Sequence, residues 1–148
     1  MSVLTIIETT VGNMDANGDS FTFLNSEREW QNLKSDDNTL PAVYLDMPIQ
    51  YKPIIKPGGA FSRQYILVAL FMYRSNLDDS PEQQRINYLK AEEAQRNFML
   101  LLDNNYGENI EELTVSTCYQ IRNLFDANLD GVVMPFSMTL KDNSSVCL

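Results

Sequence analysis

Hydrophobic and polar side chains alternate along residues 112–141. Leu113, Val115, Thr117, Tyr119, Ile121 and Phe125 fall on one side of an extended chain, and Thr114, Ser116, Gln120 and Arg122 on the other. After an Asp/Asn/Gly-rich stretch at 126–131, Val132, Met134, Phe136, Met138 and Leu140 alternate with Val133, Pro135, Ser137, Thr139 and Lys141. A repeat of two marks strands with one buried face. Two such runs around a turn cluster predict a long C-terminal β-hairpin. An isolated hairpin is marginally stable, so the rest of the chain must add strands and a helix to cover its apolar face.

Taken in order, residues 1–14 place Leu4, Ile7, Val11 and Met14 at helical spacing, which predicts a first helix. The β-branched run Val3, Thr5, Ile6, Ile7, Thr9, Thr10 and Val11 keeps a strand open as the competing reading. Turn residues follow at 15–19, then an apolar patch, Phe21-Thr-Phe23. Ser26 and Glu29 fit a capping box for a short segment facing Trp30 and Leu33 inward, followed by a polar loop at 34–38. Residues 40–47 read as a strand with Pro41 near its start. Residues 48–61, with Pro48, Pro53, Pro57, Gly58 and Gly59, read as an extended excursion. Either it is a loop lying on its own domain or an arm docking on a neighbouring subunit.

Residues 62–75 form the most hydrophobic segment. Tyr65, Leu67, Ala69, Phe71 and Tyr73 alternate with Ile66, Val68, Leu70 and Met72, so both faces of a strand would be apolar. This predicts a central strand covered on both sides, or one whose second face meets another subunit. Ser80, Pro81 and Gln83 then give a strong helix start, with the capping box closed by Gln83. Its apolar stripe is Tyr88, Ala91, Gln95, Phe98, Met99 and Leu102, and 104–107 ends it. The expected fold class is α+β: an antiparallel sheet of about four strands with a long C-terminal hairpin, helices on one face and an extended Pro/Gly-rich arm. Residues 1–148 read as one domain, with 48–61 as the arm or loop.

Composition narrows the function. The 148 residues are 44% hydrophobic and 21% charged, with a net charge of −9. That is globular, and at this size roughly 68–70% of the unfolded chain's surface is buried on folding. An acidic surface repels nucleic-acid phosphate and anionic membrane. The first eight residues lack the basic and long apolar regions of a signal peptide, and the apolar run 65–73 is too short to span a bilayer. Histidine is absent, which removes the commonest general base and metal ligand. Cys118 and Cys147 lie far apart and give neither a disulfide framework nor metal spacing. Cys118 reads as a half-buried filler, with a pairing to Cys147 the lesser reading for an intracellular chain.

Two chemistries remain to be weighed. Asp126, Asn128, Asp130 and Gly131 match the opening of a calcium loop, but Ser137 stands where a bidentate Glu is needed. Asp15, Asn17 and Asp19 match less well, with Ser20 and Ser26 at the sixth and twelfth positions. Hairpin turns favour Asp, Asn and Gly for their own backbone, so the turn reading leads in both places. Asp36, Asp37, Asp46, Asp78, Asp79, Glu92, Glu93, Glu111 and Glu112 could serve a carboxylate hydrolase, but they sit in solvated runs with no pair held on neighbouring strands. Gly58-Gly59 has no Lys-Ser/Thr behind it and is not a phosphate loop. Tyr65, Phe71, Tyr73 and Tyr119 lack the basic neighbours of a stacking platform and read as core or interface aromatics. No catalytic, cofactor-binding or metal residue is assigned.

The order of helix, strand, extended excursion, hydrophobic strand, capped helix and hairpin resembles the tail-terminator or tail-completion proteins at the head–tail joint of tailed bacteriophages. The likeness is carried by the first helix before Phe21-Thr-Phe23, by 40–45 as first sheet strand, by Phe125 through Val133, by 136–140 as closing hairpin and by Cys147 near the end. The resemblance implies a non-enzymatic virion protein, assembled in the host cytoplasm. It would form a homo-oligomeric ring in the neck or head-proximal tail, docking on adjacent rings and connector proteins. DNA would pass through an acidic lumen without specific binding, and neither cofactor nor membrane is implied. A soluble adaptor or ligand-binding α+β domain, with residues 65–73 lining a pocket, is the alternative.

Overall fold

The computed structural model describes residues 2–25, 40–122 and 128–141. The fold is α+β: two helices and a mixed sheet of seven strands among the described residues, instead of four antiparallel strands. The helices are α1 (Val3–Gly12) and α2 (Pro81–Tyr106). The strands are β1 (Thr22–Leu24), β2 (Ala42–Leu45), β3 (Gln50–Ile55), β4 (Phe61–Arg74), β5 (Ile110–Val115), β6 (Tyr119–Arg122) and β7 (Leu129–Lys141).

The sheet is built on the antiparallel pair β4–β7, which runs from Ser62↔Lys141 to Arg74↔Leu129. Each of these long strands shares its outer edge between two shorter ones. β3 pairs with the first half of β4 and β2 with the second; β5 pairs with the last half of β7 and β6 with the first. Among the described residues, only the pairing of β1 with β2 is parallel. The excursion at 48–61 is therefore an intramolecular hairpin: β3 lies antiparallel on β4, closed by a tight turn in which Lys56 N–H donates to Ala60 O. Gly58 and Gly59 both have positive φ there (91° and 85°), which a side chain would resist. Pro53 is tolerated because β3 is an edge strand.

Residues 3–12 form the helix and not the competing strand. Ser2 caps it, its hydroxyl accepting from Thr5 N–H, and Val3, Ile6, Ile7 and Val11 are buried. The buried Thr10 hydroxyl donates to Ile6 O, so this β-branched residue leaves no orphan polar group. A 3-10 turn (Ala16–Gly18) follows, with the left-handed conformation at Asn17. The helix α2 starts as expected: the Ser80 hydroxyl accepts from Gln83 N–H, and Pro81 opens the first turn. The Gln83 side chain does not close the box; it donates to Asn87 Oδ1. The buried stripe of α2 is Asn87, Ala91, Ala94, Phe98 and Leu102, while Tyr88, Gln95 and Met99 are half-buried.

Both helices cover one face of the sheet. Their buried side chains join Leu67, Ala69, Phe71 and Tyr73 of β4 and Val132, Met134, Phe136 and Met138 of β7 in the main core. Phe98 packs edge-on between Phe71 and Phe136, at 5.4 and 6.3 Å. The other face of β4 feeds a second cluster of Leu24, Ala42, Leu70, Met72, Leu129 and Val133. The two apolar faces of β4 are thus used by two cores, and β4 is central.

The hairpin at 112–141 exists, but its first strand is interrupted. Residues 116–118 leave the ladder, and the pairing slips by one: Val115 faces Phe136, whereas Tyr119 faces Val133. A one-residue slip turns every later side chain to the opposite face. Leu113 and Val115 join the helix-side core, but Ile121 packs into the second cluster and Tyr119 is exposed. Thr117 lies in the break, and Phe125 lies outside the described residues. Of the expected turn at 126–131, Leu129, Asp130 and Gly131 belong to β7 instead. The segment of Ser26, Glu29, Trp30 and Leu33, the loop 34–38, Asp126 and Cys147 lie outside the described residues.

Candidate interaction surface

Among the described residues the sheet is open at β3 and at β1 on one side and at β5 and β6 on the other. Exposed large apolar side chains gather near both. Met47, Tyr51, Ile55 and Ile66 lie at β3 and the facing part of β4; Ile55 is 78% exposed and Tyr51 57%. Ile86, Leu89, Leu100 and Tyr119 lie on α2 and β6. Tyr51 stacks obliquely on Tyr65 across the β3–β4 pair, with ring centroids 5.7 Å apart.

A recess of about 530 Å³ opens between α2 and the β5–β6 break, lined by Glu92, Gln95, Cys118, Tyr119, Gln120 and Val132. Cys118 is free and half-buried at the break; its sulfur receives the Gln95 side-chain amide at 3.1 Å. The recess is polar and wide, and the Cys118 thiol and the Glu92 carboxylate both line it. The alternative reading puts a pocket on residues 65–73; of these, Leu67, Ala69, Phe71 and Tyr73 are buried in the main core.

Polar clusters elsewhere hold elements together. Asp130 is fully buried; its Oδ2 accepts from Asn87 Nδ2 at 2.9 Å, and Arg122 Nε stands 3.8 Å from its Oδ1. This contact locks α2 to the start of β7. It also takes the third ligand of the supposed calcium loop into a strand, while Asn128 uses its backbone oxygen to accept from Ser75 N–H. At the weaker calcium match, Asn97 bonds Asp15 through both backbone and side chain. Asn17 donates to the Tyr73 hydroxyl and to Lys90 O, and the Tyr73 hydroxyl donates to Asp19. Those three residues clamp the 3-10 turn onto α2 and β4. Burial, together with the nearby Asp19 carboxylate, pushes the Tyr73 phenol up to about 12, against the lowering effect of the Asn17 bond. Burial also raises the Tyr88 phenol, with Asp130 adding to it.

The remaining carboxylates are scattered. Asp46 follows β2, Asp78 is exposed before α2, and Asp79 accepts from Asn76 N–H. Glu93 pairs with Arg96 on the outer surface of α2, and Glu92 borders the recess. Glu111 accepts the buried Ser62 hydroxyl at 2.7 Å and pairs with Lys56, tying β5 to the β3–β4 turn. Glu112 is exposed and Asp36 and Asp37 lie outside the described residues. No group of three or more Asp, Glu or Cys among the described residues is gathered as a metal site. None of the described helices is long and apolar enough to cross a membrane.

Asn87 was not singled out in the sequence, and Glu111 was named only among the carboxylates of solvated runs. Asn87 precedes the expected stripe by one position and reads as a surface residue, and Glu111 sits in an acidic pair that reads as solvated. Their partners, Asp130 and Ser62, are 43 and 49 positions away, so no local pattern marks them. No protein-family model and no curated protein matches the chain.

Proposed function

We propose that the chain is a non-enzymatic structural subunit that self-assembles head to tail into a ring. The observation that carries this reading is the pair of open edges on opposite flanks of one sheet, each with exposed apolar side chains. Surfaces that differ and face opposite ways are satisfied together by a heterologous contact, which closes into a ring when the rotation per subunit permits. The resemblance in element order to phage tail-terminator proteins supports a ring at the neck or head-proximal end of a virion tail, stacked on adjacent rings or connector proteins. In that setting the net charge of −9 lets DNA slide through a lumen without adhering.

Light scattering on the purified chain, with and without calcium, tests the proposal. The expected result is a discrete closed oligomer over a wide concentration range, unchanged by calcium and ring-shaped in negative-stain images. A monomer that neither self-associates at high concentration nor binds isolated phage heads or tails would overturn it.

A further inference from the structure

The two open edges differ in charge as well as position. Residues 47–77, which include β3 and β4, contain Lys52, Lys56, Arg63 and Arg74 and no acidic residue. Residues 97–121, which include β5, contain Asp103, Glu108, Glu111 and Glu112 and no basic one. Although the whole chain is acidic, the edge strand β3 carries Lys52 and no acidic residue, and the edge strand β5 carries Glu111 and Glu112 and no basic one; Glu111 is already paired with Lys56 within the chain.

The register places the edges level with each other. One row across the sheet reads Tyr51, Tyr65, Met138, Leu113, and the next reads Lys52, Gln64, Thr139, Glu112. Lys52 and Glu112 are therefore at the same height on the same face, at opposite edges, and both are exposed. Backbone orientation matches too. Lys56 bonds Ala60, and alternation along an antiparallel ladder then turns Tyr51, Pro53 and Ile55 toward the open side of β3. Ser116 N–H donates to Pro135 O, so Leu113 and Val115 are turned toward the open side of β5. β3 and β5 run in opposite directions, since each step across the row is antiparallel.

From this geometry we propose that β3 of one copy pairs antiparallel with β5 of a second copy, continuing the sheet across the subunit boundary, with Lys52 opposite Glu112. The proposal rests on the assembly reading above and names its contact. A sideways repeat of the subunit sets the outward backbone of Tyr51 against that of Leu113. Pro53, which has no N–H to offer, falls opposite the bulge between Ile110 and Glu112, where the ladder is already irregular. Lysine and proline on an edge strand discourage indiscriminate pairing. Here they leave β3 open to a partner that brings a carboxylate opposite Lys52 and a bulge opposite Pro53, and β5 brings both.

Two sets of variants test the contact. Lys52→Glu should weaken self-association about tenfold per contact, as should Glu112→Lys, and the double exchange should restore it. In a Cys118→Ser, Cys147→Ser background, Lys52→Cys mixed with Glu112→Cys should oxidise to a covalent pair, while neither variant does so alone. An oligomer that persists unchanged in Lys52→Glu and gives no mixed disulfide would overturn the β3–β5 contact and leave the ring standing. Efficient cross-linking of Lys52→Cys to itself would overturn it in favour of a two-fold contact. A monomer at all concentrations would overturn the contact, and one that also bound no isolated phage heads or tails would overturn the ring as well.

Discussion

Replacing Tyr73 with Phe removes one hydroxyl from the joint between the 3-10 turn and the sheet. The ring stays: its edge contact with Phe21 at 5.9 Å and the Lys90 ammonium 5.8 Å above it need no oxygen. Two hydrogen bonds go, one from Asn17 at 2.8 Å and one to the Asp19 carboxylate at 3.2 Å. Asn17 keeps Lys90 O, and Asp19 regains water, so neither partner is left buried and empty. A bond to a charged group contributes about 1.5–3 kcal/mol and a neutral one about 1, so the net loss with partial resolvation should be about 2 kcal/mol. For a chain of this size that lowers Tm by about 4–8 °C. The phenol adds a pH signature. Its folded pKa, about 12, lies above the ordinary 10.0. The stability carried by the neutral phenol is therefore complete below pH 10 and lost as pH rises through about 12. Urea unfolding of wild type and Tyr73→Phe at several pH values between 8 and 12 should show the difference shrinking at the alkaline end. A loss under about 0.5 kcal/mol at pH 8, or a difference that stays constant across that range, would refute the reasoning.

Gly131→Ala should destabilise the protein by about 2 kcal/mol, against the usual gain from replacing glycine, because the new Cβ would lie 2.5 Å from Phe71 O in the adjacent β4 backbone. The midpoint of urea unfolding reads this out, and an unchanged or raised midpoint would contradict it. Asn87→Ala should cost about 3 kcal/mol, since it strips the donor from the fully buried Asp130 and leaves only the Arg122 guanidinium nearby. A loss below about 1 kcal/mol in the same assay would show that the pair is not what joins α2 to β7.

Periodicity and caps determined most of the local structure. The Ser80-Pro81 start, the turn at 15–19, and the alternating faces of β4 and β7 are short-range effects. Each depends on neighbours within a few residues, and so each was legible in the chain. The first helix formed because its apolar spacing buried Val3, Ile6, Ile7 and Val11, which outweighed the strand preference of β-branched residues. Pairing was not legible in the same way. The prolines and glycines of 48–61 spoke against regular structure, yet Gln50–Ile55 found its ladder partner on β4, where only an edge position tolerates Pro53.

The one-residue slip between β5 and β6 shows the limit most clearly. Read as a continuous alternation, the chain puts Tyr119 and Ile121 beside Leu113 and Val115. The break at 116–118 sends them to the opposite face, and that choice belongs to β7, which must be paired along both halves at once. The joints Asn87–Asp130, Tyr73–Asn17 and Ser62–Glu111 likewise unite residues that carry no shared local pattern. By itself the sequence determined which segments are helical or extended and which faces are apolar, because backbone preference and side-chain period act within a few residues. The tertiary structure alone decided which strands are neighbours, which edges stay open and which charges confront each other across the sheet, because those depend on contacts tens of residues apart along the chain.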